Sequence, residues 1–214
     1  IGSGDCLAVA PIAEELKRML VLMDCGTPRI FEESKYNYVF RTAAHATMDN
    51  VGLIRYMKAK NIKMETLSAI NQDYAWGQDS RADFVAAAQQ LYPGVKVQTD
   101  LLPKFGAGQY GTEISALVGA GSDVVYSSLW GGDLQAFILQ SAPRGLPKRS
   151  QLVFSAADHV LPPLGDKMPD GTIIGARGAY GLMSQKSPLN DWLFKGYEAA
   201  NGVYPVQASY RMTQ

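Results

Sequence analysis

The feature that most narrows the fold of this chain is a regular alternation. Short β-branched or aliphatic runs are separated by stretches whose apolar residues recur at i, i+3 and i+4. The runs cover residues 20–23, 67–70, 95–99, 124–127, 152–154 and 172–175, and a further strand ends at Arg41. Between them, Phe84, Ala87, Ala88 and Leu91 share one helix face, as do Ile114, Leu117 and Val118. The same spacing returns at Leu134, Phe137 and Ile138, and at Leu189, Trp192, Leu193 and Tyr197. A period of 3.6 marks a helix with one buried stripe, which places Trp192 in the core. Strands that alternate with helices pair in parallel, because each connection crosses back over the sheet. The expected class is therefore α/β, with parallel sheets flanked by helices. Glycine- and proline-rich stretches at 143–148 and 161–171 read as connections.

The charge balance then removes several function classes. With 20 basic and 20 acidic side chains among 214 residues, no basic excess exists for nucleic acid or an anionic membrane. Hydrophobic residues make up 47% of the chain, enough for one large domain or two small ones. No run reaches the roughly 18–20 apolar residues of a membrane span. Neither an initiator Met nor a signal peptide is present, so the chain reads as processed or as an internal portion of a larger protein. Two cysteines, Cys6 and Cys25, and two histidines, His45 and His159, offer no zinc-ligand spacing. No metal or cofactor is expected.

In open α/β sheets, ligands bind outside the carboxyl ends of the strands, where helix N-termini and free amides point. Five strand-to-helix loops stand out on that rule. The loop NQDYAWGQDS, 71–80, carries Tyr74 and Trp76 ahead of a helix expected to begin near Arg81. Trp130 follows the 124–127 strand and Asp158 follows 152–154. Ile1 and Gly2 read as the end of a strand, with Asp5 and Cys6 just after it. Cys25, Gly26 and Thr27 follow 20–23. Aromatic faces, small polar groups, free amides and one carboxylate are what a small-molecule pocket needs. The alternative for each tryptophan is that it covers a helix end. Catalysis has less support: G-x-S-x-G, Walker, G-x-G-x-x-G and H-E-x-x-H patterns are missing. His45 and His159 are of general-base type, but His45 sits among small residues and reads as surface or packed. Cys6 has no histidine near it in sequence.

Six stretches together carry a family resemblance: IGSGDCLAVAPIAEE (1–15), DCGTPRIFE (24–32), YVFRTAA (38–44), QDYAWGQD (72–79), GAGSDVVYSSLWGGDLQAFILQSAPRG (119–145) and PDGTIIGA (169–176). The chain resembles the periplasmic substrate-binding proteins of ABC transporters, of the leucine/isoleucine/valine-binding type. The resemblance implies the type I periplasmic-binding-protein fold, two α/β lobes closing like a flytrap on a ligand between them. Residues 1–40 would be part of lobe I, 41–176 lobe II, and 177–214 the return to lobe I, with the family chain extending further at both ends. It also implies a periplasmic or extracellular protein, not an enzyme, that captures an amino acid or related small carboxylate or amide and delivers it to the transporter's permease. Ligand-sensing regulators or receptor domains share the fold; an enzyme using the same cleft is the remaining alternative.

The implied contacts follow residue by residue. On lobe I, Asp5 and Cys6 stand where a serine is usual, with Gly26 and Thr27 in the next loop. On lobe II, Trp76 and Trp130 match the aromatic walls, and Tyr74 lies beside them. Asp158 either receives a ligand ammonium or caps the helix that starts there. Cys6 and Cys25 follow neighbouring strands, and an exported protein would join them as a disulfide; the alternative is two free thiols lining the pocket.

Overall fold

The computed structural model describes residues 2–178 and 181–212. The order of elements is α1 (Ser3–Glu15), β1 (Leu20–Leu22), α2 (Arg29–Glu32), β2 (Val39–Arg41), α3 (Ala46–Ala59), β3 (Thr66–Ile70), α4 (Ala75–Leu91) and β4 (Lys96–Leu101). Then come α5 (Gly111–Ala120), β5 (Val124–Ser127), α6 (Gly131–Ser141), α7 (Leu146–Arg149), β6 (Gln151–Phe154), α8 (Leu161–Leu164), β7 (Ile173–Ile174), α9 (Pro188–Asn201) and α10 (Gln207–Met212). Two sheets form, and every strand pair in both is parallel. One is β1–β2; the other has five strands in the order β4-β3-β5-β6-β7.

The period of two along a strand sends alternate residues to opposite helical layers. On β5, Val125 joins Ile114, Leu134 and Phe137 from α5 and α6. Its neighbours Val124 and Tyr126 join Ile54, Met57, Phe84 and Ala88 from α3 and α4. β6 divides likewise, with Leu152 and Phe154 on the first face and Val153 on the second. Both faces of these central strands are therefore dry, which is why they read as mostly apolar runs without a period of two. β4 (KVQTDL) lies at the edge and has no fully buried residue. The smaller sheet carries α1 and α2 on a separate cluster of Ala10, Ala13, Leu22, Ile30 and Val39.

Three expectations change. Ile1 lies outside the described residues, and Gly2 is the N-cap of α1 rather than the end of a strand. Residues 75–80 are not a loop, because α4 starts at Ala75. Its buried stripe runs Trp76, Ser80, Phe84, Ala87 and Ala88, and the polar Ser80 within it conceals the helical period. Asn50 conceals α3 in the same way, between buried Ala46 and the pair Leu53 and Ile54. The Asn50 side chain accepts the Tyr126 hydroxyl at 2.6 Å and donates to the Ala46 carbonyl at 2.8 Å, so its burial is satisfied. Finally, Trp192 is not core: it is 71% exposed, and Leu189 on the same stripe is 73% exposed. The amphipathic face of α9 points away from both sheets, and no residue of that helix is buried.

Gly77 makes the early start of α4 possible. A Cβ there would lie 1.9 Å from the Gln72 carbonyl oxygen, so the helix lies against the end of β3 only without a side chain. Gly52 in α3 has open space around it. Gly77→Ala should destabilise the protein by about 2–4 kcal/mol through backbone displacement. Gly52→Ala should stabilise it by up to about 1 kcal/mol through helix propensity. Paired urea titrations measure both, and equal effects would remove the close-approach argument.

Candidate functional site

The carboxyl ends of β1, β3, β5 and β6 converge with the N-terminal end of α1. Cys6, in the first turns of α1, is joined by a disulfide to Cys25 in the loop after β1, with a Cα–Cα distance of 6.3 Å. Both cysteines are buried, so neither sulfur remains as a thiol donor. The cross-link closes a separation of 19 residues. In the chain-entropy account it restricts the unfolded chain by about 3 kcal/mol. Asp5 is exposed and accepts the Gly2 N–H at 2.8 Å, a role at the helix terminus.

Thr27 is fully buried, and its polar atoms are engaged. Its N–H donates to Ser3 Oγ at 3.2 Å, and its hydroxyl donates to Asp79 Oδ2, on α4, at 2.5 Å. Arg29 Nε meets the same carboxylate at 3.0 Å. Gly26, one residue earlier, sits under the Trp76 indole; a Cβ there would come within 2.3 Å of the ring. The indole is 3% exposed and packs with Ala46 and Ala156. Its Nε1–H donates to the Ser128 carbonyl at 3.0 Å, and the Arg177 guanidinium lies 4.7 Å from the ring centroid. The structure thus brings Gly26, Thr27 and Trp76 into one contact between the two sheets.

The other aromatic residues face a more open region. Tyr74, the extended N-cap of α4, meets Phe105 edge to face at 5.3 Å. Burial raises the Tyr74 phenol well above its ordinary pKa. Phe105 stands on a glycine-containing turn held by Asp133, which accepts the N–H groups of Gly106 at 2.8 Å and Gly108 at 3.1 Å. Burial opposes ionisation of Asp133, but these bonds and the Gln72 amide outweigh it and lower its pKa. Trp130, the N-cap of α6, is 46% exposed and lies 5.4 Å from the His159 ring. His45 caps α3, and burial together with nearby Arg41 lowers its pKa.

Asp158 is sealed from solvent, in the turn after β6. Its Oδ2 accepts the Gln207 N–H, at the start of α10, at 2.8 Å; Oδ1 has no partner among the described residues. Burial pushes its pKa up to about 6, against the lowering effect of the Gln207, Asp158 and His159 N–H groups.

Behind these residues lies an ionic cluster that sequence reasoning missed. Arg177 donates to Asp49 at 2.7 Å, Asp24 at 2.8 Å and the Ala44 carbonyl at 2.5 Å. Arg211 of α10 donates to Asp24 at 2.7 Å and to the Arg177 carbonyl. One signal was available: Asp24 and Arg177 each follow a strand within three residues, the rule that selected the other loops. A groove of 640 Å³ beside edge strand β7 is lined by Asp49 and Arg177 of this cluster together with Leu53 and Ile173, but by none of the sequence-predicted site residues. Among the described residues, no group of three His, Cys, Asp or Glu side chains is placed to hold a metal ion, and no helix is long and apolar enough to cross a membrane.

The sequence profile of a family described as periplasmic binding protein matches residues 1–212. No curated protein matches the chain. Among solved structures, a solute-binding protein of an ABC transporter from R. palustris, in complex with benzoate, superposes with a TM-score of 0.85 at 19% identity, covering 98% of this chain and 56% of its own. A second, from Rhodopseudomonas palustris BisB5 with 3,4-dihydroxybenzoic acid, has a TM-score of 0.79 at 21% identity, covering 98% and 56%. A leucine-, isoleucine-, valine-, threonine- and alanine-binding protein from Brucella ovis, in a closed conformation, has a TM-score of 0.74 at 18% identity, covering 99% and 55%. The chain therefore spans a little over half the length of the structures it matches. At these identities they establish the fold.

The buried carboxylate gives a pH test. Because the native pKa of Asp158, about 6, lies above the ordinary 3.8, the folded state holds this proton more tightly than the unfolded chain does. The stabilisation from protonation is fully present below about pH 4 and is lost as pH rises through about 6. Asp158→Asn keeps an acceptor for the Gln207 N–H and cannot ionise. Stability of the wild type relative to this variant should fall between pH 4 and 6.5, by on the order of 2–3 kcal/mol. Parallel curves for the two proteins in thermal melts would mean that the carboxyl group is not held as described.

Proposed function

Because the chain belongs to the periplasmic binding protein family, we propose that it forms much of the ligand cleft of an extracytoplasmic solute-binding protein serving an ABC-transporter permease. Residues 1–40 supply one wall, residues 41–176 the other lobe, and residues 177–214 return to the first. The observation that carries this reading is the contact across the two sheets, where the loop after β1 meets the N-terminal end of α4: Trp76 on Gly26, and Thr27 with Arg29 on Asp79. Ligand binding at such a contact favours the closed arrangement by touching both sides at once. The reading involves binding without chemistry: both sulfurs are in the disulfide, and His159 Nε2 accepts the Gly131 N–H.

For the ligand we propose a small carboxylate that carries no ammonium group. Asp158, the expected ammonium partner, is turned to the Gln207 N–H at the start of α10 and closed off from solvent, which supports a role in joining that helix to the turn after β6 rather than in holding a ligand. Asp5, at the end of α1, likewise holds a backbone N–H. The anionic end of the ligand would fall to the free N–H groups in the first turn of α1, whose dipole favours negative charge. Trp130, with nearly half its surface open, and Phe105 with Tyr74 would flank the apolar body. Structures of the same fold in complex with benzoate and 3,4-dihydroxybenzoic acid support an aromatic carboxylate; the Brucella ovis protein shows that the fold also serves amino acids.

Calorimetry on the protein produced from its complete reading frame tests this, with benzoate, 4-hydroxybenzoate and L-leucine as probes. The expected result is binding of a benzoate, weakened about tenfold or more by Trp130→Ala, as for loss of an aromatic anchor. Turnover of a bound probe, or a Trp130→Ala protein with unchanged affinity, would contradict the reading.

A further inference from the structure

The 3-10 turn after β6 holds a second polar side chain, one residue beyond Asp158, with a single hydrogen bond among the described residues. His159 Nε2 accepts the Gly131 N–H, from the first turn of α6, at 2.9 Å. A backbone amide can only donate, so Nε2 carries no proton and the neutral ring carries its hydrogen on Nδ1. Trp130 lies against the same ring, with centroids 5.4 Å apart and planes 30° from parallel. The imidazole is thus fixed in tautomer by one neighbour and in orientation by the other. Nδ1 makes no hydrogen bond among the described residues, and it is not among the polar atoms sealed from solvent without a partner. Beside it, Trp130 is 46% exposed, so this edge of the β5–β6 wall is open.

Resting on the cleft reading above, we propose that His159 is a specificity-determining residue of the lobe II wall, whose Nδ1–H donates to an oxygen acceptor of the ligand (a carboxylate, carbonyl or phenolic oxygen) while Trp130 covers the adjoining apolar face. An ammonium group has three donors and no acceptor, so opposite Nδ1–H it would leave both partners unsatisfied in a partly dry site. That mismatch discriminates by the unpaired group rather than by size, the more selective of the two devices. Burial lowers the imidazole pKa to about 4, so the donor is uncharged over the whole neutral range. The wall therefore selects for an acceptor without attracting anions from a distance.

Two substitutions separate the donor from the scaffold. His159→Gln places an amide oxygen near the Nε2 position, where it still accepts the Gly131 N–H, but leaves no donor at Nδ1. His159→Asn places an amide N–H near Nδ1. Calorimetry on the protein from its complete reading frame, with benzoate, 4-hydroxybenzoate and L-leucine, should show His159→Gln weakening 4-hydroxybenzoate, which has an oxygen at the end away from its carboxylate, by about tenfold or more, with the unliganded melting temperature little changed. His159→Asn should restore affinity to within about threefold of the wild type. Equal loss in both variants would make His159 a structural residue and overturn the proposal. So would wild-type affinity in His159→Gln, and if Trp130→Ala still weakened the same probe, the cleft reading would stand. A wild type that takes L-leucine and neither benzoate also overturns the acceptor assignment while leaving solute binding intact. A wild type that binds none of the three overturns both.

Discussion

A guanidinium group has five N–H donors in one rigid plane, and Arg177 directs its donors to three different segments of the chain. It reaches Asp24 beyond β1, Ala44 between β2 and α3, and Asp49 within α3, while its face lies over Trp76. The side chain is 4% exposed, so the charge has left water and must be matched inside. Asp24 and Asp49 supply two negative charges, and Arg211 a second positive one, so the cluster is neutral as a whole. Burial pushes Asp49 up to about 6 even beside this arginine, a measure of how dry the junction is. Arg177 also holds φ at 49°, a left-handed conformation that costs a non-glycine residue about 1–2 kcal/mol. Removal of one partner from a buried set of this kind strands the others and typically costs about 3–5 kcal/mol.

The position of that cluster explains why the aromatic residues in front of it lie where they do. Trp76 has Gly26 on one side, the guanidinium on another, and the Ser128 carbonyl at its nitrogen. Each contact comes from a different segment: the loop after β1, the stretch beyond β7, and the end of β5. If the segments shifted relative to one another, the indole would lose contacts on several sides at once. The disulfide holds α1 to the loop that contains Gly26 and Thr27 in the same way. Rigid support of this kind lets a cleft present side chains at low entropic cost.

Much of the layered α/β arrangement was legible in the sequence, because the central strands are buried on both faces and mostly apolar; the serines within them, Ser68 and Ser127, are small and hydrogen-bonded. What escaped notice were α3 and the first turns of α4, whose stripes contain the buried polar residues Asn50 and Ser80. Hydrophobic periodicity reports burial, and it misses a polar residue that is buried, as Asn50 is with its hydrogen bonds made. Trp192 failed in the opposite sense: the stripe on α9 is regular, but neither sheet lies under it. Positions after strands were readable for Trp130, Thr27 and Asp158. Their partners were not, since Arg177 meets Asp24 across 153 residues and Arg211 meets it across 187. No local pattern encodes such a pairing. Asp158 illustrates the gap: the sequence left it between a ligand partner and a cap of the helix that starts there, whereas its observed bond is to the Gln207 N–H of α10, 49 residues away.

The same accounting shapes the chemistry left for a ligand. Loops at the ends of strands begin with many polar atoms, but most here are already engaged: Thr27 by Asp79 and Ser3, Asn71 Oδ1 by Ser128, Gln72 Nε2 and Asp133 by each other, Asp158 by Gln207. Those bonds rigidify the loops, and they also withdraw the groups from recognition, because a donor or acceptor satisfied in the free protein gains little by exchanging partners. In the proposed reading, selectivity then rests on the first-turn amides of α1, the faces of Trp130 and Phe105, and the His159 imidazole N–H. That proposed arrangement, donors at both ends with aromatic surface between them, would suit a flat molecule with oxygen acceptors. Under the proposed reading an ammonium group would meet walls on which Asp158 Oδ2 and Asp133 already accept backbone N–H groups.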